Sequence, residues 1–140
     1  MRKLAVLPLM AVMASSCLSI NDPDSDRTEL PANLEFYAYT ENVVAPTTAQ
    51  RNTAFNVTFT TYGGGCVERT DNELVVSGLD VHIFSVQTVR TNTTCPDVLT
   101  SEAHVIPVTV ILPGTATIYV HGWRLPADEE IAVVRSVTIQ

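Results

Sequence analysis

Phe55-Asn56-Val57-Thr58-Phe59-Thr60 is the stretch that decides the fold class of this chain. Apolar and polar residues alternate through it without a break, the period-two pattern of a strand with one buried and one wet face. On its N-terminal side, Leu34, Phe36 and Ala38 alternate with Glu35, Tyr37 and Tyr39. On its C-terminal side, Leu79 to Arg90 mixes β-branched and polar residues, with Val81, Ile83, Val86 and Val89 among them. His104 to Leu112 is rich in Val and Ile, and Pro107 within it marks an edge strand or a bulge, because proline cannot donate to a ladder. Ala116, Ile118 and Val120 alternate with Thr117, Tyr119 and His121, and Ile131, Val133, Val137 and Ile139 close the chain on one face. Turn signals separate these runs at Gly63-Gly64-Gly65, Ser77-Gly78, Pro113-Gly114 and Pro126-Ala127-Asp128. Helical periodicity is almost absent.

Short strands at this spacing, rich in Thr and Val, predict an all-β domain over residues 33–140: an antiparallel β-sandwich of about seven strands. Val and Thr suit a pleated surface because branching at Cβ already restricts their rotation. The general pattern, including Pro113-Gly114-Thr115-Ala116-Thr117-Ile118, is similar to bacterial immunoglobulin-like domains. That resemblance implies two sheets packed face to face. The chain departs from antibody-type domains in its cysteines, since Cys66 and Cys95 lie close in sequence and Trp123 follows them instead of standing between them. A bridge between these two would therefore staple the middle strands locally.

The N-terminus is organised differently. Arg2 and Lys3 precede an uncharged, largely apolar run of 11 residues, Leu4 to Ala14, and small Ser15 and Ser16 lead into Cys17. The run is too short for a spanning helix, which needs about 20 residues. Its order (basic, apolar, small) fits an export signal over residues 1–16. Ala14-Ser15-Ser16-Cys17 resembles a lipobox, the site at which bacterial lipoproteins are lipidated on the cysteine and cleaved before it; Ala14 stands where such motifs usually carry Leu. The resemblance implies a membrane anchor on Cys17. Ala14 and Ser16 also satisfy the small-x-small rule of an ordinary signal peptidase, which would release a soluble protein beginning at Cys17. Leu18 is not the Asp that would resemble an inner-membrane retention signal, so the outer membrane is favoured where the organism has one.

The chain has three cysteines, an awkward number in an oxidising compartment. With lipid on Cys17, Cys66 and Cys95 remain as a disulfide pair, and no CxxC element or nearby histidine couple turns them toward zinc. Such a bridge closes a loop worth about 3–4 kcal/mol in the chain-entropy picture. Two buried free thiols are the competing arrangement, and export disfavours it.

Residues 17–32 hold the lipidated cysteine and a polar, acidic stretch with Pro23 that reads as a flexible tether. Asp22, Asp24 and Asp26 alternate as in a calcium loop, but Arg27 stands where that loop needs glycine and Asn33 where it needs the closing Glu. Without residues 1–16 the chain keeps six arginines and no lysine against 15 acids, a net charge of −9 where the precursor has −7. Such a surface repels nucleic acid and anionic headgroups.

Catalytic motifs are missing from the sequence. It contains no GxSxG elbow, no HExxH and no phosphate-binding glycine loop, and Gly63 to Gly65 is followed by neither helix nor lysine. His82, His104 and His121 fall on three predicted strands and could meet at a metal only if those strands were neighbours; surface polarity is the simpler role, and neither metal nor cofactor is expected. Asp128, Glu129 and Glu130 read as a solvated turn. One constellation points to binding. Tyr119, His121 and Trp123 share the parity opposite to Ile118 and Val120, with Arg124 beside them, so they form a candidate exposed aromatic stripe. Rings on a rigid sheet can stack on sugars or anchor a protein.

The expected function is therefore that of a non-enzymatic cell-envelope lipoprotein whose β-sandwich binds or supports an envelope polysaccharide or another envelope protein. The alternative is a secreted inhibitor or enzyme-accessory domain acting through Gly63–Cys66 or Leu125–Glu130.

Overall fold

A computed structural model describes residues 26–37, 39 and 42–140. The export signal, Cys17 and most of the tether lie outside these. Among the described residues every regular element is a strand: β1 (Arg27–Pro31), β2 (Asn33–Phe36), β3 (Thr48–Ala49), β4 (Phe55–Gly63), β5 (Val67–Ser77), β6 (Asp80–Arg90), β7 (Thr100–Val108), β8 (Gly114–Leu125) and β9 (Glu129–Ile139). The all-β expectation holds. The strands number nine, not about seven, and their pairing is mixed where an antiparallel arrangement was expected.

Three pairs are parallel: β6 with β8, β2 with β8, and β3 with β9. The first follows from the path of the chain. Between β6 and β8 the chain leaves to form β7, which pairs with β4, and returns; a strand reached by such a crossover can run parallel to the one it left. The hairpins β5–β6, turning at Ser77-Gly78, and β8–β9, turning after Pro126, supply the antiparallel flanks. The result is one curled sheet. β5, β6, β8 and β9 lie on one side of it, β2, β4 and β7 on the other, and an apolar cluster fills the space between.

The curl depends on a fork. Asp80–Phe84 of β6 pairs with Thr117–His121 of β8, but the next residues of each strand take different partners. Val86–Arg90 pairs with β1, and Trp123–Leu125 pairs with β2. The chain thus runs toward the fork along β6, bends at fully buried Ala32, and leaves along β8. Ala32 is bonded to both arms, its N–H to the Ser85 carbonyl at 2.8 Å and its carbonyl to the Trp123 N–H at 2.9 Å. Gly122 stands at the branch point. A Cβ there would lie 2.5 Å from the Ala32 oxygen, closer than any side chain can approach backbone. Arg27–Pro31, expected within the tether, is therefore a strand. Its five residues are all exposed, so backbone pairing places it and burial does not.

Val57, Val81, Ile83, Val108, Ile118, Val120 and Val137 are fully buried in the apolar cluster, each worth about 1.5–3 kcal/mol relative to exposure. Pro107 lies on β7, which pairs only with β4 among the described residues, so the edge expected from that proline is present. Leu34 and Phe36 sit in β2, whereas Tyr37 turns out of it at φ 54° and Tyr39 folds back on Phe36 through two backbone bonds. The strand expected to run through Tyr39 ends at Phe36. Cys66 and Cys95 form the expected disulfide, with Cα atoms 5.1 Å apart. It ties the β4–β5 turn to the β6–β7 loop, and Gly65 lets the two approach: a Cβ there would meet the Pro96 oxygen at 2.6 Å.

Candidate functional site

The outward face of the β5–β6–β8–β9 sheet is built by register. Val75, His82, Tyr119 and Val134 stand in one row across the four strands, and Glu73, Phe84, His121 and Ala132 in the next. Parallel pairing of β6 with β8 brings four rings together. His82 Nδ1 and His121 Nε2 are 2.9 Å apart, and the ring centroids are 5.2 Å apart with planes 17° off parallel. That centroid separation is about the largest that two imidazoles joined by so short a contact allow. The hydrogen bond therefore lies in line with both rings, as a good N–H···N bond requires.

Tyr119 lies face-on against His82, with centroids 4.7 Å apart and planes 8° off parallel. Phe84 lies face-on against His121 at 4.4 Å and 11°. Because His82 and His121 meet on a diagonal of the register, these two rings cover opposite sides of the imidazole pair. The result is a hydrogen-bonded imidazole pair between two π faces. Burial lowers the proton affinity of His121, the neighbouring His82 lowers it further, and Glu130 works against both. The rim is apolar and open: Val75 is 41% exposed, Phe84 38% and Val134 46%.

Of the four residues expected to form the stripe, two take part. Tyr119 and His121 belong to the ring cluster. Trp123 follows the same parity but lies beyond Gly122, where β8 has exchanged β6 for β2. It lines a separate groove of about 310 Å³ with Leu30, Pro31, Gly64, Leu125 and Asp128. Arg124 is held by Glu35 on β2 and by Glu129, the latter at 3.1 Å, and so belongs to an ion-pair network at the far end of the sheet. His82 and Phe84, which complete the cluster, lie outside the expected stripe. The signal that could find them is the pairing of Leu79–Arg90 with the Tyr119 strand, a long-range fact.

His104 stands apart from the other two histidines. It is buried on β7, between Thr61 Oγ1 at 2.8 Å and the Asn72 side-chain nitrogen at 3.0 Å, with the Phe59 ring 5.0 Å away. Ser85 donates to the Asn72 amide oxygen at 2.6 Å, which turns the amide nitrogen toward His104 Nδ1. The imidazole is thus an acceptor at Nδ1 and a donor at Nε2, the neutral form. Burial holds its proton affinity below the ordinary value, against the pull of Glu102. Among the described residues, no three His, Cys, Asp or Glu side chains gather as metal ligands. Comparison with known protein families, curated proteins and solved structures finds no match.

Proposed function

We propose that this protein is a non-enzymatic binding module of the bacterial cell envelope, anchored by lipid on Cys17, whose ligand is an envelope polysaccharide. The observation that carries the binding role is the ring cluster of His82, Phe84, Tyr119 and His121 on the open face of a four-stranded sheet. Phe84, Val75 and Val134 expose apolar surface where nothing in the fold requires it, and side chains so rigidly stacked lose little entropy on binding. The basic–apolar–small N-terminus supports export, and the disulfide fits an oxidising compartment. On the same proposal the curled sheet is a variant of the immunoglobulin-like sandwich, with the β1–β2 fork added to it.

The test has two parts. Intact-mass measurement on the native mature protein should give a chain beginning at Cys17 with a lipid-sized increment. Isolated envelope polysaccharide should bind the native protein and lose the Phe84→Ala, Tyr119→Ala double variant, with both proteins melting within a few degrees of each other. Equal binding by both would remove the ring cluster from the function.

A second reading, a secreted inhibitor acting through its loops, is favoured by one observation. Gly64 from the first candidate loop and Leu125 and Asp128 from the second line the same groove beside Trp123. An unlipidated mature protein in the culture medium would favour that reading.

A further inference from the structure

The outward face of β6 continues past Phe84 through Val86 to Thr88, about 13 Å along the strand. There β1 and β5 flank β6 and a pocket of about 440 Å³ opens, lined by Arg27, Glu29, Glu68, Arg69 and Thr88. Three observations make it unlike an ordinary charged surface. Thr88 is 6% exposed, and its hydroxyl has no hydrogen-bond partner among the described residues although it is fully buried. Leaving a buried hydroxyl unsatisfied is unfavourable, and such a group calls for a reason. Second, the charges balance: Arg27 and Arg69 face Glu29 and Glu68, in a chain whose acids outnumber its bases. Third, the side chains differ in how firmly they are held. Glu68 is fixed between Arg27 at 2.6 Å and the Nε of Arg90 at 2.9 Å, and both arginines depress its proton affinity. Among the described residues Arg69 meets Asp71 alone, in a pair in which both side chains are about two-thirds exposed to water. Solvent screens such a pair, so Arg69 can exchange it for another partner.

We propose that this pocket is the hydroxyl-reading subsite for a neutral sugar residue of the polysaccharide bound on the ring cluster. The proposal rests on the polysaccharide reading of that face. Vicinal hydroxyls are donors and acceptors at once, and they match a site that offers a guanidinium and a carboxylate side by side. Thr88 stands between its register partners Glu29 and Arg69, and a ligand hydroxyl that parts these two side chains gives the buried Thr88 hydroxyl the partner it lacks. An acidic sugar would meet Glu29 and Glu68 and the negative field of the whole chain. The spacing of pocket and rings suits an oligosaccharide of a few residues lying along β6.

The experiment titrates the full-length protein, in detergent, with labelled neutral hexasaccharides (cellohexaose, mannohexaose and chitohexaose) and with hexagalacturonate. At least one neutral probe should bind tenfold or more tightly than the acidic one. Thr88→Val should weaken that binding at least tenfold while leaving the melting temperature equal or higher, since it removes an unsatisfied hydroxyl. Thr70→Val, which removes the other buried unpartnered hydroxyl away from this pocket, should leave binding unchanged. The subsite is overturned if no neutral probe binds, if hexagalacturonate binds as well, or if Thr88→Val binds like the parent. Loss on Phe84→Ala with no loss on Thr88→Val removes the subsite and keeps the ring cluster. The reverse result keeps the subsite and removes the polysaccharide reading of the rings.

Discussion

The inward face of β6 has two interiors. In its first half Val81 and Ile83 are fully buried among Ile118, Val120 and Val57. In its second half, on the same face, Ser85 and Gln87 are almost as deeply buried. There they meet polar partners: Ser85 bonds Asn72, Asn72 bonds His104, His104 bonds Thr61, and Gln87 donates to the Tyr62 carbonyl at 3.0 Å. The change occurs where the fork opens. Up to Phe84, β6 is paired with β8, whose Ala116, Ile118 and Val120 are themselves fully buried under the opposite layer. Beyond it, β1 replaces β8 and the opposite layer ends in β7, which has no strand neighbour on its outer side among the described residues. β5 and β7 are joined there by Asn72 and His104 instead of by a backbone ladder. One end of the molecule is held by apolar area, the other by directed bonds between two sheet edges.

The largest effect should therefore come from the apolar end. Ile83→Ala is expected to cost about 2–5 kcal/mol, because the fully buried site is walled by strands and cannot collapse onto the cavity. Denaturant titration of this variant should move the midpoint and leave the slope unchanged. A loss below 1 kcal/mol would mean that this end is no better packed than the other. At the polar end Thr61→Val is expected to cost about 1–3 kcal/mol, since it leaves the His104 Nε2–H buried without an acceptor. The two variants differ in kind. The first removes contacts, while the second strands a donor that full replacement of the network by apolar residues would not strand.

The next effect separates the two ends by pH. Burial holds His104 below the ordinary histidine value of 6.5, and His121 is shifted in the same direction. Below about pH 6.5 the unfolded chain therefore binds protons that the native chain refuses. Stability should be level above that pH and should fall as pH drops through it toward the lowered native values. His104→Gln, which keeps a donor and an acceptor at the site, should flatten part of this slope, leaving the share of His121. Melting curves between pH 8 and 5 measure it, and an unchanged slope in the variant would mean that His104 is not held neutral.

The same two ends explain what could be read from the chain beforehand. Phe55–Thr60 and Ala116–His121 alternate because each has one face in the apolar half, and there the sequence pattern and the burial pattern coincide. Val67–Ser77 shows no such pattern. As an edge strand it buries neither face, so Glu68, Arg69, Asp71 and Glu73 follow one another without penalty and hide the strand. Arg27–Pro31 was hidden for the same reason. Tyr119 and His121 were legible as outward residues by parity. The other half of their cluster was not, because the parallel register of β6 on β8 is set by a crossover and not by any local run. Parity also misplaced Trp123, and with it the adjacent Arg124, since it assumes that a strand keeps its neighbours, and β8 changes partner at Gly122.

The smallest effect concerns Thr70, on the β5 side of the polar end. Its hydroxyl is buried and has no hydrogen-bond partner among the described residues, although Gln87, its register partner, lies beside it and is committed to Tyr62. Thr70→Val should raise stability by about 1 kcal/mol, the reverse of Thr61→Val, because it deletes an unsatisfied group and leaves none behind. The two threonines are chemically identical and belong to the same end of the molecule, so an opposite sign between them would locate the stabilisation in particular bonds. Equal losses would mean that hydroxyls there are retained for general polarity, and the distinction between directed bonds at one end and apolar area at the other would weaken to a difference of composition.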